Sequence, residues 1–211
     1  MHQKKEEINM FNLSDETFNT LSKIQKVLLA IMALASIIMW ISLILAAKNL
    51  PDFDSKINGY NFALTWLLFA LTIICGFIYA NKGYSKQAHK YYKAMMCFYA
   101  FATLIPIVTT FRISGFDLVT LTVIIKFILL LILGFGKDLG KKNTWIIFYI
   151  VLVLELLYVP MLSVTGVTPD APSGTALPVP ILEALSRLVI IGILGLCIEA
   201  KYRDKDARGT V

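Results

Sequence analysis

Six long apolar runs are the feature that most constrains how this chain can fold. They cover residues 27–47, 61–80, 94–111, 118–135, 145–163 and 179–198. A helix needs roughly 20 mostly apolar residues to cross a hydrocarbon core of about 30 Å, and each run is close to that length. Only 16% of the 211 residues are charged, well below the roughly 25% of an average soluble domain. The pattern predicts an all-α integral membrane protein, a bundle of six transmembrane helices within residues 27–199.

The basic residues alternate between the connections, and this predicts the orientation of the bundle. Few Lys and Arg lie in the odd-numbered connections: Lys48, Lys56 and Arg112. Most lie in the two terminal segments and the even-numbered connections: Lys4, Lys5, Lys23, Lys26, Lys82, Lys86, Lys90, Lys93, Lys137, Lys141, Lys142, Lys201, Arg203, Lys205 and Arg208. Short loops rich in Lys and Arg stay in the cytoplasm, so we expect both termini to be cytoplasmic. The expected location is the cell membrane, as a multi-pass protein of a prokaryotic cytoplasmic membrane.

The N-terminal segment, residues 1–26, carries a helix-start pattern. Ser14 is a suitable N-cap, and Asp15 and Glu16 follow in the first turn, where the helix dipole favours negative charge. Apolar residues then recur at three-residue spacing: Phe18, Leu21 and Ile24. Two interpretations stay open. The segment is an amphipathic helix on the cytoplasmic surface, or it extends the first span into solvent. At the other terminus, residues 200–211 are expected to form a basic cytoplasmic tail.

Four ionisable residues lie inside the last three predicted spans: Lys126, Glu155, Glu183 and Arg187. A charged side chain at mid-membrane costs at least about 2.5 kcal/mol, so we expect these residues to face the interior of the bundle and to pair. Lys126 and Glu155 have similar depths on neighbouring antiparallel helices, which predicts one ion pair. Glu183 and Arg187 are four residues apart on one helix face, which predicts a second.

This charged cluster is the candidate functional site, and two interpretations of it differ in class. In the first, the protein binds or transports a small solute or ion through these four residues, with Tyr158 and Ser186 adding hydrogen bonds. In the second, the protein is a non-transporting membrane scaffold or assembly subunit whose charges are structural. A pocket open to water at the cluster favours the first, and a closed, satisfied network favours the second. Expected partners are the lipid bilayer, a small-molecule or ion ligand and a membrane protein.

Other functions lack the residue types that they require. His2 and His89 both lie outside the predicted spans, so neither an HExxH motif nor a Ser–His pair can be assembled in the membrane, and we expect no enzymatic activity. The three cysteines have no paired spacing that would indicate a disulfide or a zinc site, and the sequence specifies no cofactor. The basic and aromatic segment 81–93 is typical of lysines and tyrosines at a membrane surface, so no nucleic-acid partner is expected.

The connection 163–180 differs from the others. It is the longest between predicted spans, and it contains four prolines and no basic residue. Such composition favours an extended, semi-rigid segment. The segment is expected to be either a plain linker or a lid over an external entrance.

Overall fold

The structure is a computed structural model that describes residues 13–136, 139–165 and 178–206. Within these ranges some residues are described by their backbone alone, without their side chains: 106, 108–114, 158–165, 178–185 and 204–206. The described chain is helical and contains no strand. Its α-helices are α1 (Asp15–Lys48), α2 (Phe53–Asn81), α3 (His89–Ser114), α4 (Leu118–Phe135), α5 (Gly140–Thr165) and α6 (Pro178–Asp206), with a 3-10 turn at Lys86–Ala88 before α3. The all-α prediction is therefore confirmed.

Three helices, α1, α2 and α4, are long and apolar enough to cross a membrane. This supports the predicted membrane class. The search was restricted to the described residues, and the larger count of six spans stays a prediction.

Three of the helices begin at a polar side chain that caps them. Ser14, Asp52 and Asp117 precede α1, α2 and α4, and in each case a side-chain oxygen accepts the backbone N–H three residues further on, at 3.1, 2.7 and 2.8 Å. These bonds satisfy donors that the first turn of a helix leaves without a partner. The predicted Ser14 cap is therefore present. Asp52 and Asp117 likewise mark where two short connections end and α2 and α4 begin.

The helix boundaries differ from the predicted ones at both ends of the chain. Of the two interpretations of the N-terminal segment, the structure has the continuous one, a single helix α1 of 34 residues. At the other end, α6 continues to Asp206 instead of ending near residue 199, so the predicted tail begins as helix. Most of the connection 163–180 lies outside the described residues, and both interpretations of it stay open.

The bundle is held together by packing between helices that are neighbours in the chain. Each of the six helices packs against the next, and α6 also packs against α1 and α2, which closes the arrangement. The core is rich in large side chains, and at its centre the ring of Phe69 lies 5.9 Å from that of Trp66 and 6.3 Å from that of Tyr99. The outward face of α1 is apolar and exposed, as expected for a surface that meets lipid: Ile24, Val27, Ile31, Leu34, Ile38, Ile41 and Leu45.

Helices α3 and α4 approach closely where α4 ends. Tyr92 on α3 donates its hydroxyl to the carbonyl oxygen of Leu133 at 3.1 Å. A β-carbon added at Gly134 would lie 2.7 Å from the β-carbon of Met96. That distance is too short for two carbon atoms, and Met96 could relieve it only by moving its helix. Gly134 is therefore required for this contact.

We expect Gly134→Ala to lower the free energy of unfolding by about 1–3 kcal/mol, because the new methyl group forces α3 and α4 apart. The matched control is Gly192→Ala on α6, where an added β-carbon meets no atom within 4 Å. That change should be neutral or slightly stabilising, since alanine favours a helix more than glycine does. Unfolding in mixed detergent micelles measures both. Equal effects of the two substitutions would contradict the close approach.

Candidate functional site

The carboxylate of Glu155 on α5 joins two cations from two other helices. Lys126 on α4 donates from Nζ to one oxygen, Oε2, at 2.6 Å. Arg187 on α6 donates from Nη1 to the other oxygen, Oε1, also at 2.6 Å. We call these three residues the charged triad. The predicted Lys126–Glu155 pair is present, and the structure adds Arg187 to it.

The helical repeat explains why each charge points inward. On α4 the buried residues recur every three or four positions, and Lys126 falls between Val123 and Leu130 in that series. Glu155 on α5 follows the buried Val151, and Arg187 on α6 precedes the buried Ile190. Because side chains three or four residues apart share one face of a helix, an inward-facing apolar stripe brings each charged side chain into the interior with it.

The triad is closed to solvent in this conformation. Lys126 is 1%, Arg187 4% and Glu155 5% exposed. Removing an ion from water costs several kcal/mol, and attraction to an opposite charge repays this only when the geometry is good. The geometry at Glu155 meets this condition, because each carboxylate oxygen has a cationic nitrogen at 2.6 Å. Loss of the carboxylate would leave two buried cations without this partner.

An aromatic side chain from the first half of the chain completes the surroundings of Arg187. The guanidinium carbon lies 5.4 Å from the ring centroid of Phe69 on α2, within the range of a cation–π interaction. Trp66, one turn away on α2, is fully buried, and its indole N–H has no hydrogen-bond acceptor among the described residues. The sequence analysis missed both residues. A contact between an arginine and an aromatic ring on distant helices leaves no spacing signal in a sequence.

Two residues of the predicted site cannot be placed against the triad. Tyr158 lies in α5 and Glu183 in α6, but their side chains are outside the described residues. The predicted Glu183–Arg187 pair and the contribution of Tyr158 therefore stay predictions. Ser186, for which we expected a hydrogen bond near the cluster, is fully buried beside Arg187 in the chain.

Chemically, the triad places two cationic donors around the two oxygens of one carboxylate. Lys126 and Arg187 present N–H donors to the two oxygens of one carboxylate, and in this conformation that carboxylate belongs to Glu155. A carboxylate on a small solute would offer the same two oxygens to the same donors. In the described ranges no group of three or more His, Cys, Asp and Glu side chains is placed to hold a metal ion.

Comparison of the chain with models of protein families, with curated proteins and with solved structures gives no match. The fold and the site define the class of an α-helical membrane protein with charge in its interior. The function therefore has to be argued from the geometry of this chain alone.

We expect Glu155→Gln to lower the free energy of unfolding by about 3–5 kcal/mol, because the amide keeps the shape of the carboxylate but leaves the cations of Lys126 and Arg187 buried without their shared counter-ion. The same change at the exposed Glu16, in the first turn of α1, is the control and should cost less than about 1 kcal/mol. Unfolding in mixed detergent micelles measures each variant.

Adding Lys126→Met to Glu155→Gln tests the direct contact. The double variant should be less destabilised than the sum of the two single variants by about 1–3 kcal/mol, because the second substitution removes one of the stranded charges. Strict additivity of the two effects would show that Lys126 and Glu155 do not interact in the folded protein.

Proposed function

We propose that this protein is a six-span membrane protein of the cell membrane that binds a small charged solute or ion at the charged triad and moves it across the bilayer. The six-span arrangement is supported by the length of the helices outside the three most apolar ones. Helices α3, α5 and α6 have 26, 26 and 29 residues. At about 1.5 Å per residue each is longer than the roughly 30 Å of a hydrocarbon core. The alternation of basic connections favours cytoplasmic termini.

The observation that carries the functional proposal is that one buried carboxylate, Glu155, accepts from two buried cations on two different helices. Ionisable groups inside a membrane are expensive to keep, and they commonly mark the path of a solute, an ion or a proton. The ion pairs of the triad can also break and form again, since no covalent bond joins the three side chains. Movement of α5 relative to α4 and α6 would separate the Glu155 carboxylate from Lys126 and Arg187, and a ligand carboxylate could then take its place.

This chemistry narrows the ligand to a small solute that carries a carboxylate or a similar oxyanion. Such a group would replace the Glu155 carboxylate between Lys126 and Arg187. The buried indole N–H of Trp66, without an acceptor among the described residues, is a further donor close to the ring of Phe69. A ligand with a second acceptor would satisfy it. We assign Lys126 and Arg187 to anion binding, Glu155 to competition with the ligand, and Glu183 and Tyr158 to the same site from neighbouring turns.

A second function is favoured by the closure of the triad. All three side chains are at most 5% exposed, and both oxygens of Glu155 are occupied. Two surface cavities of about 350 and 410 Å³ are lined by residues of the connection between α2 and α3, and neither is lined by a residue of the triad. A scaffold or assembly subunit would need the triad only to fix how α4, α5 and α6 pack, and it would bind a membrane protein instead of a solute.

The proposed topology is tested by labelling single cysteines in intact cells. In a background with Cys75, Cys97 and Cys197 replaced by alanine, we expect a membrane-impermeant maleimide to label Ser173→Cys but not Gln87→Cys. The reason is that the connection 163–180 is proposed to face outward and the α2–α3 connection to face the cytoplasm. Permeabilised cells are the control, in which both should be labelled. Labelling of both positions in intact cells would overturn the proposed alternation.

Ligand binding is tested by thermal unfolding of the detergent-purified protein against carboxylates, amino acids, inorganic ions, nucleobases and vitamins. A ligand that binds only the folded state stabilises it by about 2.7 kcal/mol at a hundred times its dissociation constant. We expect such a shift in the wild type and in Lys48→Met, which removes an exposed lysine, and not in Lys126→Met.

Trp66→Phe serves as a second variant in case Lys126→Met does not fold, and it should reduce the shift without removing a charge. No shift with any compound in the wild type would contradict the binding proposal and favour the scaffold. An equal shift in the wild type, in Lys126→Met and in Trp66→Phe would place the ligand away from the triad and contradict the proposed site.

A further inference from the structure

A separate basic surface lies at the connection between α2 and α3. Residues 82–93 contain four lysines and no acidic residue: Lys82, Lys86, Lys90 and Lys93. Ser85 lines two cavities, and these differ in whether their basic lining residues have acidic partners outside the cavity. In the first, which Arg203 lines, the guanidinium already has acidic partners in Asp15 and Glu199. The second has no acidic residue among its lining residues.

The second cavity, which we call the lysine pocket, has a volume of about 410 Å³ and is lined by Lys82, Ser85, Gln87, Lys90 and Tyr91. Lys82 and Lys90 are exposed, and neither forms an ion pair with any described residue. The Ser85 side chain precedes the 3-10 turn without making a capping hydrogen bond. The pocket therefore combines two uncompensated cations with neutral groups that can donate hydrogen bonds.

The position of the lysine pocket relates it to the membrane surface. Lys82 directly follows α2, one of the three helices apolar enough to cross a membrane, so the pocket lies where that span ends. Tyr91 lines the same pocket, and the Lys90 ammonium lies 5.3 Å from the centroid of its ring. Tyrosine with lysine at the end of a span is typical of the headgroup layer, where phosphate groups are concentrated.

The lysines around the pocket make its electrostatic potential more positive. Burial, together with the positive charges of Lys201 and Lys93, lowers the pKa of the His89 imidazole. This shift disfavours the charged form of His89, and the positive charge of the surface comes from the lysines. A basic pocket between helices on the cytoplasmic side of a membrane matches the chemistry of an anionic lipid headgroup.

We propose that the lysine pocket binds a phosphate group, between the ammonium groups of Lys82 and Lys90. The phosphate comes either from the headgroup of an acidic phospholipid or from a soluble phosphate. The binding does not depend on the charged triad, because the pocket contains no residue of the triad. It gives the protein a phosphate site besides its proposed solute site.

The test measures the thermal unfolding of the detergent-purified full chain with three probes: phosphatidylglycerol, phosphatidylcholine and inorganic phosphate. A lysine near an anionic surface contributes about 1 kcal/mol, which is about a fivefold change in affinity. We therefore expect Lys82→Gln with Lys90→Gln to weaken the apparent affinity for phosphatidylglycerol by about 25-fold. The matched control, Lys48→Gln with Lys56→Gln, removes two charges at the opposite end of α1 and α2 and should bind like the wild type.

The probes identify the source of the phosphate. Stabilisation by phosphatidylglycerol but not by inorganic phosphate assigns the pocket to a lipid headgroup, and stabilisation by inorganic phosphate assigns it to a soluble phosphate. Lys82→Arg with Lys90→Arg should retain binding, which separates a lost charge from a damaged fold. The proposal is overturned if neither phosphatidylglycerol nor inorganic phosphate stabilises the wild type, if phosphatidylcholine does so equally well, or if the glutamine variant binds as tightly as the control.

Discussion

The carboxylate of Glu155 is the interaction on which the second half of the structure depends. Without it, α4 and α6 would each bring a buried cation into the interior next to the other. Two like charges in a medium of low dielectric constant repel each other, so the packing of α4 against α6 would be less stable. With the carboxylate between them, each cation has a partner at 2.6 Å. The ion pairs therefore fix the depths of α4, α5 and α6 relative to one another. Apolar packing alone specifies these depths only weakly, because one apolar contact resembles another.

The coupling reaches the first half of the bundle through Arg187. Its guanidinium faces the ring of Phe69, and that ring contacts Trp66 and Tyr99 in turn. Any motion that opens the triad by moving α6 therefore also disturbs the aromatic core of α2 and α3. A motion of α4 or α5 alone would leave this aromatic contact in place. A displacement of α4 would separate Lys126 from Glu155 while Arg187 stays against Phe69.

The features that depend on length, composition or position along a helix could be predicted from the sequence. The all-helical class followed from the apolar runs, the cap of α1 from Ser14, and the Lys126–Glu155 pair from equal depth on neighbouring helices. The link between Arg187 and Glu155 could not be predicted in this way. Glu183, four residues before Arg187, was the nearer candidate by spacing, and only the packing of α5 against α6 shows that Glu155 is within reach. Phe69 was missed for the same reason.

The ends of α1 and α6 show what composition left open about the helix boundaries. Both segments are polar enough to lie in solvent, and the sequence allowed the N-terminal one to be either a separate surface helix or an extension of the first span. In the structure Arg203 on α6 bonds to Asp15 and lies 4.7 Å from the ring centroid of Phe18 on α1, while Glu199 accepts from it at 3.1 Å. These contacts stabilise the helical conformation of the polar ends, since each end supplies partners to the other. Helix α6 thus carries an arginine at each of two levels, Arg187 in the interior and Arg203 at its end. Displacing α6 would therefore break the Arg187–Glu155 and Arg203–Asp15 pairs together, whereas displacing α4 would break only the Lys126–Glu155 pair among those described.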